Sequence, residues 1–506
     1  MITFCVSLVC LVLGYVFYGK FTEKLFGINP ARETPVRRLK DGVDYVELKP
    51  WRMFMIQLLN IAGLGPIFGA VLGAAYGPVA YLWIVLGCIF MGAAHDFFSG
   101  AISMRMDGCS LPNIHGRLLG PKAQHALVLF SAVMLLAVGI AFVNGPAELL
   151  AMLSAKLAPA AGAVSAEGIS VPGAGTLAWG VFWTLAIILY YICAVLLPID
   201  KIIGAIYPIF SVALIFMAVG VAGAMIAQDF SGAIEMPELT LASLKNFHAD
   251  SAANPLFPML FVVISCGAIS GFHATQSPMM ARCMGSEKYA RPVFFGAMIA
   301  EGVIALIWAT AAIAYCGGAD GLNASGKTPA VIVNEICSNW LGVAGAIAAI
   351  LGVIVCPITS GDTALRGVRL ILADTLRIPQ KTLTSRVLVS LPIFVVAVAL
   401  SQIRFEVIWR YVGLANQLLA AVTCWASAVW LAKENKPHWA MSVPAAFLTA
   451  VCAAYFLAAP YASGGLALPV GISQAAGGAV GIALLALFIR KTARSRGNGG
   501  EEIRAA

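Results

Sequence analysis

Asp96, Glu301 and Asp362 fall inside long apolar runs of the sequence, and His95 and His273 fall in runs of the same kind. An ionisable group at membrane depth costs several kcal/mol and is kept where it does chemistry. Asp96 follows more than fifteen mostly apolar residues, too deep for a short side chain to reach water, and Glu301 lies about ten residues into its run. A carboxylate at that depth pairs with a cation or stays protonated. Either state suits a cycle driven by protons or ions, and a structural hydrogen bond to a neighbouring helix is the competing reading. Thr359, Ser360, Asp362 and Thr363 form a second cluster, hydroxyls and a carboxylate just after Cys356-Pro357. Such oxygens suit a hard monovalent cation, while the rival reading pairs Asp362 with Arg366 one helical turn on. His273 reads either as a packing histidine, the simpler account, or as a ligand. His95 and Asp96 are neighbours, so they are expected on different helix faces and not as a pair. Asn416 and Gln417, also in an apolar run, either line a cavity or bridge helices.

The elements that position these groups include two that cannot be continuous helices. One run reads WRMFMIQLLNIAGLGPIFGAVLGAAYG (51–77) and another FPMLFVVISCGAISGFHATQS (257–277). Gly-Leu-Gly-Pro removes a backbone donor and weakens the helix twice within four residues. Non-helical backbone at membrane depth survives only where it is buried or lines a polar cavity. Gly/Pro-interrupted helices at matching positions of two halves point to a carrier's central site. Here the interruptions lie about 200 residues and five spans apart, an odd spacing that forces the two helices to run antiparallel. Ala62, Gly63, Leu64 and Gly65 at the first break, with Gly267, Ala268, Ser270, Gly271 and His273 at the second and Asn416 nearby, are the candidate substrate-binding residues. Asp96, Glu301, Thr359, Ser360, Asp362 and Thr363 are the candidates for ion coupling. Close helix packing through small residues is the alternative account of the glycines.

Composition sets the medium in which all this sits. Of 506 residues, 60% are hydrophobic and 11% charged, against roughly 25% charged in soluble domains. Thirteen apolar spans are expected near 3–19, 52–75, 78–104, 125–146, 176–197, 202–227, 257–279, 292–316, 340–364, 387–402, 406–432, 439–458 and 470–490. Of the 32 Lys and Arg residues, 27 fall on one side of this alternation. Lys156, Lys245, Lys327, Arg404 and Arg410 make up the other side. The positive-inside rule then places the N-terminus outside and the C-terminus inside, so the net charge of +8 is an orientation signal and not a nucleic-acid patch. The first 19 residues lack a basic leader and a small-residue cleavage site and are read as a retained helix. Twelve scattered cysteines with no CxxC pattern read as packed small hydrophobes, with a disulfide between Cys316 and Cys337 open as an option. The tail from Arg494 is expected to be disordered. No HExxH, GxSxG or P-loop pattern is present, so the chain is read as a transporter and not an enzyme, with a channel or a starvation sensor as distant rivals.

Six stretches resemble the carbon-starvation protein A family of bacterial transporters. In order they are IAGLGPIFGAVLGAAYG, HDFFSGAISMRMDGCSLPNI, CGAISGFHATQS, GAMIAEGVIAL, TSGDTALRGVRLILAD and FEVIWRYVGLANQLLAA, within about residues 50–432. The resemblance implies an all-α carrier of the APC superfamily with a LeuT-like five-plus-five inverted repeat. Residues 51–230 would form the first repeat, 231–255 an outer loop and 256–433 the second repeat. A leading span and loop (1–50), two peripheral spans (434–490) and a cytoplasmic tail (491–506) would complete the chain. It also implies cation-coupled uptake of peptides during nutrient limitation across a bacterial inner membrane, with pyruvate or another small carboxylate as the alternative. By analogy a sodium-type site would involve Ala62, Gly65, Thr359 and Ser360, proton coupling standing beside it, and no cofactor is expected. The chain departs from longer family members by ending after two further spans.

Overall fold

The computed structural model describes all residues except 43, 158–166, 172–174, 197–198, 381, 402–404, 462–463 and 498–506. Arg404 and the end of the tail therefore lie outside the described residues, as do the side chains of Lys156 and Arg410. Each of the thirteen expected spans is occupied by one helix or by several helical pieces. In chain order, spans 1 to 6 are Ile2–Phe26, the bent pair Pro50–Ile61 and Gly65–Ala74, Ala80–Arg105, Pro121–Leu157, Trp179–Leu196 and Ile199–Phe230. Span 7 is cut into Leu256–Leu260, Phe261–Val263 and Gly271–Cys283. Spans 8 to 13 are Glu287–Tyr315, Pro329–Leu376, Leu383–Leu400, Phe405–Lys433, Trp439–Ala458 and Val470–Gly497. Among the described residues, ten helices are long and apolar enough to cross a membrane by themselves, eleven counting the bent pair.

Two helices overrun the expected boundaries by the most. Span 4 continues through Pro146 to Leu157, and span 9 runs from Pro329 to Leu376 with a kink at Gly342 (φ 65°, ψ −177°) and Pro357 inside it. Span 9 starts at a defined cap: Thr328 accepts from the Val331 N–H and proline fills the first helical position, as N-termini favour. The two long helices pack along each other, Gly139 against Leu365 and Gly367 against Leu135. A small antiparallel hairpin, β1 (Gly168–Val171) and β2 (Gly175–Ala178), lies between spans 4 and 5.

Polarity is inside out. Phe17, Leu189, Leu391 and Ile482 on spans 1, 5, 10 and 13 are at least 60% exposed, whereas His95, Asp96, His273 and Glu301 are fully buried. Lipid accepts the apolar shell, so helix association rests on close packing and buried polar contacts rather than on water exclusion. Spans 2 and 7 run antiparallel: Leu48, before span 2, donates to the carbonyl of Cys283 at the end of span 7 (3.2 Å), and Phe247, before span 7, donates to Tyr76 after span 2 (3.4 Å). All twelve cysteines, Cys316 and Cys337 among them, are free thiols.

Candidate functional site

Both interruptions are present and they touch. Span 2 stops at Ile61, and Ala62 turns away (φ −79°, ψ 55°) before the chain resumes at Gly65 with a 56° bend. Pro66 has no N–H, so the Ala62 carbonyl loses its helical donor. Span 7 stops at Val263, Ile264 takes nearly the same turn (φ −93°, ψ 66°), and an extended Ser270 leads into the next half-helix. A Cβ at Gly65 would stand 2.2 Å from the Cys266 Cβ, so the two breaks meet backbone to side chain. Gly271 lies as close to span 11, where a Cβ would meet the Asn416 carbonyl at 2.5 Å. Asn416 holds the second break open as a loop: its Oδ1 accepts from the Ser270 hydroxyl (3.0 Å) and the Phe272 N–H (2.7 Å). Gln417 likewise bridges, donating to the Phe261 carbonyl (2.7 Å). Ala62, Leu64, Ala268 and Ser270 are fully buried, so this conformation is packed shut around the breaks.

Next to the second break lies a line of four buried ionisable side chains. His95 Nδ1 and His273 Nδ1 stand 2.8 and 2.9 Å from the two oxygens of Asp96, and His273 Nε2 is 3.3 Å from Glu301 Oε2. This corrects two expectations. His95 does pair with Asp96, its Nδ1 within hydrogen-bond distance of the neighbouring carboxylate, and His273 is a bridge between spans 3 and 8 rather than a packing residue. The proton count follows from the geometry. Asp96 accepts from both rings when ionised, which assigns Nδ1–H to each histidine. A neutral His273 then turns a bare Nε2 toward Glu301 at 3.3 Å, where a proton on either group would join the two. Neither Glu301 oxygen has a hydrogen bond among the described residues, nor do the side-chain amides of Gln57 and Asn60 on span 2. Those amides, and Gln276, are not among the residues expected from the sequence, although they lie in apolar runs as Asn416 and Gln417 do, which is the signal that finds them.

The hydroxyl cluster of span 9 reaches span 2. Ser360 donates to the Leu59 carbonyl at the edge of the first break (3.0 Å) and lies beside Gly63. Thr359 donates to Val355 and Cys356 of its own helix, and Thr363 to Thr359 and Ser360. Asp362 accepts from Tyr190 of span 5 (2.7 Å), while Arg366 donates to the Ala194 carbonyl. Ala62 and Gly65 lie on the two sides of the first break, with Ser360 against Gly63 between them.

Compared with known proteins, residues 1–166, 175–343 and 310–454 match the family described as carbon starvation protein CstA. The chain belongs to that family. Among its relatives, an uncharacterised membrane protein of Haemophilus influenzae is 45% identical over 336 residues, 62% of this chain and 90% of the relative. The peptide transporter CstA of Bacillus subtilis is 29% identical over 61% of this chain and 58% of that protein. The pyruvate/proton symporter BtsT of Escherichia coli is 27% identical over 60% of this chain and 47% of that protein. This CstA-family chain thus matches about half the length of the relatives whose cargo is named. The crystal structure of MhsT in complex with L-phenylalanine superposes with a TM-score of 0.56 over 87% of this chain and 99% of that one, at 13% identity. The fold is therefore LeuT-like, two five-helix repeats of opposite orientation, with spans 2 and 7 as the paired discontinuous helices.

Proposed function

We propose that this protein is a secondary active carrier that imports peptides by alternating access, driven by protons, with pyruvate or a similar small carboxylate as the second reading. The observation that carries the proposal is the contact of two antiparallel broken helices at Gly65 and Cys266. Half-helix N-termini there offer backbone N–H groups and the positive ends of helix dipoles to a carboxylate, which peptides and pyruvate share. The names of the Bacillus subtilis and Escherichia coli relatives support the two cargo readings.

Proton coupling is supported by the line Asp96–His273–Glu301, which offers a buried place for one exchangeable proton. Glu301 faces His273, with Asp96 and His95 behind it and the thiols of Cys88 and Cys356 near it. Sodium is the competing ion, at Ala62, Gly65, Thr359 and Ser360, where Ser360 reaches the edge of the first break. The basic loops lie on the cytoplasmic side of a bacterial inner membrane, with the N-terminus outside. Uptake of labelled alanyl-alanine and of labelled pyruvate into proteoliposomes, with pH and sodium gradients imposed separately, tests all of this. A pH gradient should drive accumulation without sodium. Flux that follows no gradient sinks the carrier reading, and flux that follows sodium at constant pH moves coupling to Ser360.

A further inference from the structure

From His273 the second half of span 7 runs about 13 Å to Arg282 at 1.5 Å per residue, toward the face that bears the basic loops. Polar groups line this stretch in sequence. Gln276 lies one turn beyond His273 on the same helix face and is fully buried. Its Nε2 donates to the Thr275 hydroxyl (2.8 Å), and its Oε1 has no hydrogen-bond partner among the described residues. Pro278 has no N–H to give the Ala274 carbonyl, which leaves a further acceptor one step down. Thr275, Pro278, Ser110 and Arg282 border, with apolar residues such as Met279 and Leu370, a cavity of about 10 Å³, room for a single water. Arg282 donates from Nε to the Gly108 carbonyl (2.7 Å) and lies 3.7 Å from Asp374. Asp44, Tyr45, Cys109, Cys283 and Arg369 are the other titratable groups near it.

We infer that the coupling proton leaves Glu301 for the basic face along this line, over water held by Gln276, Thr275 and the Ala274 carbonyl. The inference rests on the proton-coupled reading above. In the step, the O–H bond of the Glu301 carboxyl breaks as an O–H bond to the first water forms. The last O–H breaks to bulk water on the basic face, and Glu301 is left ionised beside His273. Arg282 at the lower end makes a resting hydronium unfavourable there, so the proton passes only once the small cavity widens and fills.

The test separates net transport from exchange. In proteoliposomes, pH-driven uptake of labelled pyruvate and alanyl-alanine requires the carrier to release its proton, whereas counterflow at equal pH does not. Gln276→Leu and Thr275→Val should lower net uptake by about tenfold and leave counterflow within about twofold, a split read as one lost step. Gln276→Glu should restore net uptake. Thr275→Cys, measured against the wild-type thiol background, should react with a membrane-impermeant thiol reagent added from the basic face and be shielded from the other. Equal net uptake in Gln276→Leu, Thr275→Val and wild type, or labelling of Thr275→Cys from the opposite face, overturns the route. Loss of net uptake and counterflow together in variants that unfold at the wild-type temperature overturns it as well. Wild-type protein without net uptake or counterflow overturns the transport reading instead, and Thr275→Cys labelling still reports on the route.

Discussion

Glu301 is the residue on which the proposed cycle turns, because its protonated form can hydrogen-bond to His273 Nε2 and its ionised form needs a second proton on that ring. Glu301→Gln keeps an N–H donor toward Nε2 and so mimics the loaded state permanently. Net pH-driven uptake should fall by about a hundredfold, a loss of some 2.7 kcal/mol at about 1.36 kcal/mol per decade. Counterflow and thermal stability should stay near wild type. A pH-sensitive dye inside the vesicles reads the proton flux, and undiminished acidification would remove Glu301 from coupling. Asp96→Asn should behave differently, since an amide cannot accept from two ring N–H groups with both atoms. One histidine is then left with an unpaired buried donor, at a cost of about 1–3 kcal/mol, visible as a lower unfolding temperature. The depth of these carboxylates was legible in the sequence from the apolar residues around them. That they form one chain was not, because it depends on how spans 3, 7 and 8 are rotated against each other, and no residue pattern states that rotation.

At the scale of the elements, the breaks were the most legible feature: Gly-Leu-Gly-Pro and Cys-Gly-Ala-Ile-Ser-Gly declare backbone that cannot stay helical. Their ends were read well, but the lengths of spans 4 and 9 were not. Pro146 ends the expected span 4, yet in a membrane neighbouring helices satisfy the freed carbonyls and the helix carries on. Span 9 outruns its apolar run at both ends, into Asn334 and Glu335 and into Arg366 and Arg369. The contact between the breaks makes a sharp prediction. Gly65→Ala places a methyl group 2.2 Å from the Cys266 Cβ, and overpacking of this kind costs about 1–3 kcal/mol. Its unfolding temperature should drop and its uptake should fall, while Gly65→Ala with Cys266→Gly should recover most of both. Failure of the second substitution to rescue would mean the two breaks do not bear on each other in solution.

The whole molecule is closed at both faces by loops strapped together. On one face Asn323 donates from Nδ2 to the carbonyls of Ala75, Phe247 and Ala319 (2.8–3.0 Å) and accepts from the Ala249 N–H (3.2 Å). On the other, Glu287 accepts from Arg105 (3.1 Å) and from the Asn29 N–H (2.8 Å), and Lys436 reaches the Phe26 carbonyl. Asn323→Ala should loosen the first face, raising hydrogen exchange at residues 247–249 without altering exchange at 282–287. Glu238, beside Asn323's face, ties the start of span 1 to the loop after span 6. It accepts from the Ile2 and Thr3 N–H groups (2.7 and 2.8 Å), the Thr3 hydroxyl and the terminal amine. Burial alone would raise its carboxyl, but those donors outweigh it and hold the group down at about 2. A depressed carboxyl stabilises the fold above its ordinary value near 4.5 and loses that contribution as pH falls toward 2. Wild type should therefore lose more thermal stability than Glu238→Gln between pH 5 and pH 2, and equal losses would count against the tie.

His273 sits three residues past Ser270, on the same rigid half-helix that the second break releases. In the proposed cycle a shift of that half-helix would carry the acid–base partner and the cargo-facing backbone together, so that neither crosses alone and the membrane's pH difference is not spent idly. At one proton per solute, each pH unit sustains about 1.36 kcal/mol, a tenfold accumulation ratio. For a singly charged anion such as pyruvate the loaded complex carries no net added charge, and the accumulated level becomes indifferent to membrane voltage.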